Sequence, residues 1–468
     1  MTTIKLDPGA ALLLDALHGA GHAAYAVGGC VRDSLLGLDP HDWDLCTSAR
    51  PEQVMALFGE EKCIPTGLQH GTVTVKQGGR LYETTTFRTE GAYSDGRHPD
   101  AVCFVPDVRE DLARRDFTIN AMAYSAEEGL IDPFGGRDDL AAHLVRAVGE
   151  PERRFEEDAL RILRLYRFAA RFGFAIDPAT GTAARALGPH LDCVSAERIQ
   201  EELLKLLAAP RPGSYLEPAV LAVILPELEP EKQPERFAEL CRIIDRIEPT
   251  AENVPARLAA LLCPLGEAGT RTALRKLKCS NALTDEVTTL VGGSVGSFSE
   301  DRPLGWDPVA AGNRAGDGMA CNSNDRRQWR MQEVAVGAAA SDTQAMRSGC
   351  WEPQPELVSD QTLMAKRLLG RYELPTIQRL TALCSARHPE QTGVFAALRA
   401  EAERLTAENA CCRVSQLAVN GRDLMAAGVR PGPGLRQVLN ALLEAVITGQ
   451  TPNEKDALLA AAAQFSAS

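Results

Sequence analysis

The stretch YAVGGCVRDSLLGLDPHDWDLC, residues 25–46, decides how the rest of the chain is read. It begins at the end of a short apolar run, 23–27, that stops at Gly28-Gly29. Two adjacent glycines let a backbone approach a ligand closely, and the N–H groups opening a following helix can bind phosphate. Arg32, about one turn into that helix, adds a positive fork. Asp42 and Asp44 flank Trp43 in what the pattern predicts to be a strand, whose two-residue period sets both carboxylates on one face. Such oxygens suit Mg²⁺ carried over a triphosphate. Taken singly, a Gly-Gly after a strand is a turn and an Asp-x-Asp is surface acid. Their conjunction at this spacing points to a nucleotide site with Gly28, Gly29 and Arg32 on the nucleotide and Asp42 and Asp44 as metal ligands.

Composition bounds the answer. At 468 residues the chain is too long for one ordinary core and predicts about two to four domains. It has no apolar run of membrane-span length, and MTTIKLDPGA at its start lacks a basic stretch before an apolar one, so a cytoplasmic protein with no membrane partner is expected. The 13 cysteines include no C-x-x-C pair, and Cys411 and Cys412 are adjacent, which indicates reduced thiols rather than a zinc site or a disulfide framework. A net charge of −13 argues against indiscriminate nucleic-acid binding but leaves room for a local basic groove. Arginine is in fact clustered, at 137, 146, 153, 154, 161, 164, 167 and 171.

GGCVRD followed by D-W-D resembles the opening signature of the tRNA nucleotidyltransferases that add CCA to tRNA 3′ ends, and of the related bacterial poly(A) polymerases, within the wider polymerase-β-like nucleotidyltransferases. The resemblance implies an α/β head, a small mixed sheet with helices, followed by an all-α neck, body and tail. Residues 7–20 read as a helix with Leu12, Leu13 and Leu17 on one side. Residues 47–52 read as a helix start with Ser or Thr as cap and Pro in the first turn. Residues 71–76 and 81–87 alternate as strands around Gly78-Gly79. Glu83 and the residues after it resemble the family's E-x-T-T-F-R, which makes Glu83 a candidate third catalytic carboxylate; an edge-strand glutamate is the alternative. The Gly-, Asp- and Pro-rich segment 90–105 is expected to be a mobile loop, which in the family is associated with adding A. DLARRDFTINA, 111–121, resembles a further family motif and implies that Arg114, Arg115, Asp116 and Asn120 bind nucleotide. Two arginines beside an aspartate make physical sense if one donates to phosphate while the acid orients it. A solvated surface run is the alternative. The turn at 131–136 is expected to close the head.

RFEEDALRILRLYRFAARF, residues 154–172, reads as a single helix whose uncharged positions are apolar, so Arg161, Arg164 and Arg167 point into a cleft more readily than into open water. Asp158 and Arg161, three apart, would be neighbours on it. On spacing alone they form an intrahelical ion pair worth roughly a few tenths of a kcal/mol. Base chemistry offers a second reading. Cytosine and adenine each present an amino donor beside a ring-nitrogen acceptor, so one carboxylate and one guanidinium can pair with either, whereas uracil and guanine offer the opposite order. EEDALRILRLYR resembles the family's E-D-x-x-R motif, to which this role belongs, and the resemblance places Arg164 and Arg167 near base or triphosphate.

VSAERIQEELL, 194–204, resembles another family segment, a capped helix expected to pack on the previous one. Residues 258–262 and 274–277 fit body helices. No His-Asp pair of a phosphohydrolase domain appears there, so no such activity is expected. The tail around 417–434 resembles one branch of the CCA-adding enzymes. The division expected is a catalytic head 1–136, a base-selecting neck 137–209, a body 210–295, an insertion or linker 296–360 and a tRNA-binding tail 361–468. The expected function is Mg²⁺-dependent, template-independent addition of C, C and A to tRNA from CTP and ATP. A bacterial poly(A) polymerase and an A-adding-only enzyme are the alternatives, and a non-catalytic RNA-binding relative is a rival of another class.

Overall fold

The computed structural model describes residues 3–91, 102–294 and 360–465. The expected loop at 90–105 falls largely, and the expected linker at 296–360 almost wholly, outside the described residues.

Asp7 opens helix α1 (Pro8–Gly19) by accepting hydrogen bonds from the N–H groups of Gly9 and Ala10. Ala10, Leu13, Leu14 and Leu17 form its buried stripe at helical spacing, while Leu12, expected on that face, is 57% exposed. There follow β1 (Ala24–Val27), α2 (Gly29–Leu35), β2 (Leu45–Thr47), α3 (Pro51–Phe58), β3 (Cys63–Gly67), β4 (Thr72–Gln77) and β5 (Arg80–Thr86). The short hairpin β6 (Arg88–Glu90) and β7 (Val102–Phe104), α4 (Val108–Ala113), β8 (Ala123–Ser125), β9 (Gly129–Ile131) and α5 (Gly136–Ala141) complete the α/β part. The seven-stranded sheet has the order β3-β4-β5-β2-β1-β8-β9. It is mixed: β2 and β5 are parallel, and the other neighbours antiparallel. One face carries Tyr25, Val27, Cys46 and Phe87 against Val108 and Leu112 of α4.

Two local expectations are corrected. Asp42 and Asp44 are not in a strand, because β1 supplies ladder partners only for Leu45, Cys46 and Thr47. The next N–H, that of Val27, goes to the Asp44 carbonyl at 2.9 Å, and Gly28 then turns the chain away. Nor do Thr47 or Ser48 cap α3, whose N-cap is Arg50. The Thr47 hydroxyl donates to the Ala23 carbonyl (2.8 Å) and the Ser48 hydroxyl accepts from the Ala23 N–H (3.0 Å), so both stitch the end of β2 to the start of β1.

Beyond the sheet the chain is helical. α6 (Pro151–Glu157) and α7 (Leu160–Phe172) replace the single helix expected over 154–172. Asp158 breaks it: its backbone is extended (φ −149°, ψ 104°), and its carboxylate accepts from the Leu160 N–H at 3.0 Å, a local bond that competes with helix continuation. α8 (Pro178–Ala186) and α9 (Ala196–Leu207) follow, α9 lying against α7 as expected. Helices at Val254–Leu262 and Gly266–Lys276 realise the body segments read from sequence.

The chain forms two compact units, Met1–Val295 with Gln378–Ala396, and Gly296–Ile377 with Ala397–Ser468. The expected head, neck and body share the first. Gln378–Ala396 joins them through Leu380, Leu383 and Cys384, all buried, and through Arg379, which donates to the Glu252 carbonyl at 2.5 Å. In the second unit, Leu424, Leu442 and Leu458 centre one apolar cluster, and Ala365, Leu398 and Ala402 another.

Arg257 is fully buried in the first unit and, among the described residues, has no carboxylate in direct contact. It donates to the carbonyls of Leu207 (2.7 Å) and Ala209 (2.5 Å) at the end of α9 and of Ile247 (2.5 Å) just past the helix Pro234–Arg246, filling acceptors that helix ends leave open. Arg257→Met is therefore expected to lower stability by about 3 kcal/mol, since three buried carbonyls lose their donors. Chemical denaturation of the two proteins measures it, and an unchanged midpoint would contradict the role.

Candidate active site

Gly28 adopts φ 77°, and a Cβ there would stand 3.0 Å from Arg115 Nη1 and 3.6 Å from the Asn120 carbonyl. Both the backbone conformation and the close approach require glycine. Gly29 opens α2, which carries Arg32. The Arg32 fork is not open to an anion: it is 3% exposed, its Nε donates to Asp33 at 2.8 Å, and its Nη1 to the Asn120 side chain. Burial draws its pKa down, with Asp33 opposing.

Asn120 passes the connection on, donating to Asp116 Oδ1 at 3.1 Å, while Asp116 Oδ2 accepts from Arg164 Nε (2.9 Å) and Nη2 (2.6 Å). Burial alone would raise the Asp116 carboxyl, but Arg164 and Asn120 hold it well below the usual carboxylate range. Arg164 also lies 3.8 Å from Glu202 of α9, whose other oxygen takes Arg167 Nε at 2.5 Å. Arg171 meets Asp33 at 3.2 Å. Arg32, Arg164 and Arg167 stand 5.2, 5.3 and 4.0 Å from the centre of the Phe168 ring, whose face adds cation–π attraction. The arginine cluster is thus a counter-ion lattice rather than an open basic groove.

Asp42 and Asp44 precede β2 at the edge of this lattice and are exposed, as is Glu83 on β5. β2 runs parallel to β5 with Leu45 beside Thr84, so the residues just before these, Asp44 and Glu83, enter side by side. The Asp44 carboxyl reaches solvent yet is hemmed in by protein. Loss of hydration, then repulsion from Glu83 and Asp42, opposed by Arg115, pushes its pKa up to about 6. Among the described residues no three His, Cys, Asp or Glu side chains gather closely enough to enclose an ion. Two exposed carboxylates that repel one another, with a third nearby, still fit a hard cation that keeps several other oxygen ligands, as Mg²⁺ does.

Arg114 and Arg115 both reach Asp111, at 2.9 and 3.4 Å. Arg115 Nε is buried with no hydrogen-bond partner, and its guanidinium lies between Gly28 and the electrostatic reach of Asp44. It is the group best disposed toward a phosphate.

Asp158 and Arg161 do not pair with one another. Asp158 accepts from Arg198 of α9 at 2.8 Å. Arg161 donates to Glu157 (2.8 Å) and to the carbonyls of Arg154 (3.2 Å) and Arg114 (3.1 Å). The intrahelical pair expected on spacing is absent because the chain breaks at Asp158. Each group is instead fixed by its own partners, and among the described residues Arg161 keeps two of the five N–H donors of a guanidinium unengaged.

Sequence reading missed Asp33, Asp111, Glu157, Arg198 and Glu202, the partners of the residues it named. Arg198 and Glu202 stand four apart in a segment singled out only as a packing helix, and that spacing, one face of α9, was the available signal.

Family models match residues 24–146 (Poly A polymerase head domain), 173–232 (Probable RNA and SrmB- binding site of polymerase A) and 378–462 (tRNA nucleotidyltransferase domain 2 putative). The CCA-adding enzyme of Limosilactobacillus fermentum is 33% identical over 462 residues, covering 97% of this chain and 96% of that protein. This chain belongs to the CCA-adding enzyme family. The Geobacillus stearothermophilus CCA-adding enzyme is 34% identical over 96% of this chain and 94% of its own length. The crystal structure of the Bacillus stearothermophilus CCA-adding enzyme in complex with CTP matches with a TM-score of 0.70 and 30% identity, covering 98% of both chains. The family is one of nucleotidyltransferases, and the mixed-sheet head followed by helices is its fold. Among the described residues no helix is long and apolar enough to cross a membrane.

A carboxylate whose folded pKa is depressed adds stability above its ordinary pKa and loses it as pH falls through the folded value. The stability difference between the wild type and Asp116→Asn is therefore expected to be constant above about pH 5 and to narrow below 3.8, the ordinary aspartate value. Denaturation midpoints against pH measure it, and a gap that widens toward acid would contradict the assignment.

Proposed function

We propose that this enzyme adds C, C and A in turn to the 3′ end of tRNA, using CTP and ATP and releasing pyrophosphate. The observation that carries the reading is the convergence of Asp42, Asp44, Glu83 and Arg115 beside a separately fixed Asp158 and Arg161, in a chain of this family. In the reaction the terminal 3′ oxygen of the tRNA bonds to the α-phosphorus, the α–β phosphoanhydride bond breaks, and the 3′ hydroxyl proton departs. Asp42 and Asp44 would hold Mg²⁺, which when bound lowers the pKa of the attacking hydroxyl and neutralises phosphate charge. Glu83 adds negative potential on the same side. Arg115, whose side chain is 20% exposed, offers its guanidinium to the triphosphate, Gly28 leaves room for it, and Arg114 and Asp111 hold its neighbourhood in place. Fixing both reactants in line supplies much of the remaining acceleration.

Base choice falls to Asp158 and Arg161. Because Arg198 and Glu157 fix them apart from each other, a cytosine or adenine edge need not first break an ion pair between them. The amino group donates to the carboxylate, and the guanidinium donates to the ring nitrogen. Arg164 and Arg167, tied to Asp116 and Glu202, set the position of α7 and contribute positive potential. Residues 173–232 and the tail contact the RNA, and the protein works in the cytoplasm where tRNA matures.

The test is incorporation of labelled CTP and ATP into tRNA ending before C, after C and after CC. Addition of two C and then one A is expected. Addition of A alone, only to tRNA ending in CC, or repeated A without stopping, would contradict the full reading. Asp44→Ala is expected to lower kcat by about three orders of magnitude or more, with the fold retained.

A further inference from the structure

The carboxylate that holds Arg161 carries a second buried guanidinium. Glu157 closes α6; its Oε2 accepts from Arg161 Nη1 at 2.8 Å, and its Oε1 accepts from Arg154 Nη2. Arg154 is only 6% exposed. Its other terminal nitrogen, Nη1, donates to the Ala113 carbonyl at 3.0 Å, and Arg161 Nη2 donates to the Arg114 carbonyl at 3.1 Å. Ala113 and Arg114 are the last residue and the C-cap of α4, and the closing carbonyls of a helix have no partner within it. Two forks that share one carboxylate thus clasp successive carbonyls at the end of α4. The Arg154 carbonyl also accepts from Arg161 Nη1 at 3.2 Å, which closes the ring of contacts. Arg115 is the residue that follows the clasped carbonyls. Arg153 also nears Glu157, at 3.5 Å, but from the surface, where its side chain is 72% exposed.

We infer that Arg154 is a positioning residue for nucleotide choice: by clasping the end of α4 it fixes the span between the base reader Arg161 and the triphosphate donor Arg115. The inference rests on the roles proposed for those two residues and goes beyond them, since Arg154 itself touches neither base nor phosphate. A nucleotide reacts only when its base edge and its phosphates are seated together, and a span set by the protein makes the first depend on the second. Arginine suits the task because its rigid fork gives one nitrogen to the carboxylate and another to the carbonyl. An ammonium keeps the charge but is a point donor without that fork. With the clasp open, Glu157 still pairs with Arg161, but the pair is tied to α4 through the Arg114 carbonyl alone. Arg161 then strays from the base edge while Arg115, held from the α4 side by Asp111, keeps its place.

The experiment measures kcat and KM for CTP and UTP on one tRNA, and inhibition by inorganic tripolyphosphate, in the full-length wild type, Arg154→Met, Arg154→Lys, Arg153→Met and Arg161→Ala. Arg154→Met is expected to raise KM for CTP and to cut the preference for CTP over UTP, each about tenfold, the size of one hydrogen bond to a charged group. Tripolyphosphate has no base, so it should inhibit this variant as it does the wild type. Arg154→Lys should fall between the two, and it carries the same test if Arg154→Met does not fold. Arg153→Met, which removes a neighbour of Glu157 that does not clasp α4, should match the wild type. An unchanged preference for CTP in both Arg154 variants would overturn the inference, as would tripolyphosphate weakened as much as CTP, the mark of a general structural role. Lost preference in Arg161→Ala with none lost in the Arg154 variants would remove only the positioning role. Full preference kept in Arg161→Ala would instead sink the proposed base reading.

Discussion

One buried carboxylate governs the active half of this molecule. Asp116 is buried, and its charge persists because Asn120 and Arg164 reach it from two directions. Removing either partner would strand a buried charge, which is far more costly than the pair itself is stabilising. The consequence is geometric. Asn120 belongs to the segment after α4 and also holds Arg32 of α2, whereas Arg164 belongs to α7, so one acid indexes α7, the helix proposed to read the base, against the sheet beside Asp44 and Glu83. Glu202 repeats the device one layer out, joining α9 to α7.

The same logic explains why so acidic a chain carries so many arginines in one short region. They are neutralised locally by Asp33, Asp116, Glu157 and Glu202 and wrapped around Phe168. Acid and base are thereby spent on position, leaving a small number of groups, Arg115 above all, with donors to offer a ligand. Asp44 is the converse case. It is placed among like charges and away from full hydration, so the folded protein itself disfavours the ionised form that a bound cation would favour.

Much of this was legible in the residues. The Gly28 turn, the Asp42 and Asp44 pair and the helical character of 160–172 are local features, fixed by backbone conformation or by short spacing. Strand ends were less legible, since β2 begins only at Leu45 for want of an earlier partner on β1, and that depends on where Gly28 turns the other strand. Partner choice was not legible at all. Asp158 looks like the neighbour of Arg161 along the sequence, yet it bonds Arg198, 40 residues on, because its own carboxylate breaks the helix that would have brought the two together. Arg32 looked like an anion fork because one of its partners, Asn120, is 88 residues away, and the other, Asp33, is its own chain neighbour.

We propose that Asp158 and Arg161, each fixed by its own partner, choose the base without a nucleic-acid template. The most direct test is kcat/KM for CTP, ATP, UTP and GTP on one tRNA, in the wild type and in Asp158→Ala. The wild type is expected to reject UTP and GTP by about 10⁴-fold, the scale of buried groups left unpaired, and the variant to lose most of that discrimination along with most of its rate. A slower variant that keeps the wild-type ratio of C to U would mean that the bases are read elsewhere.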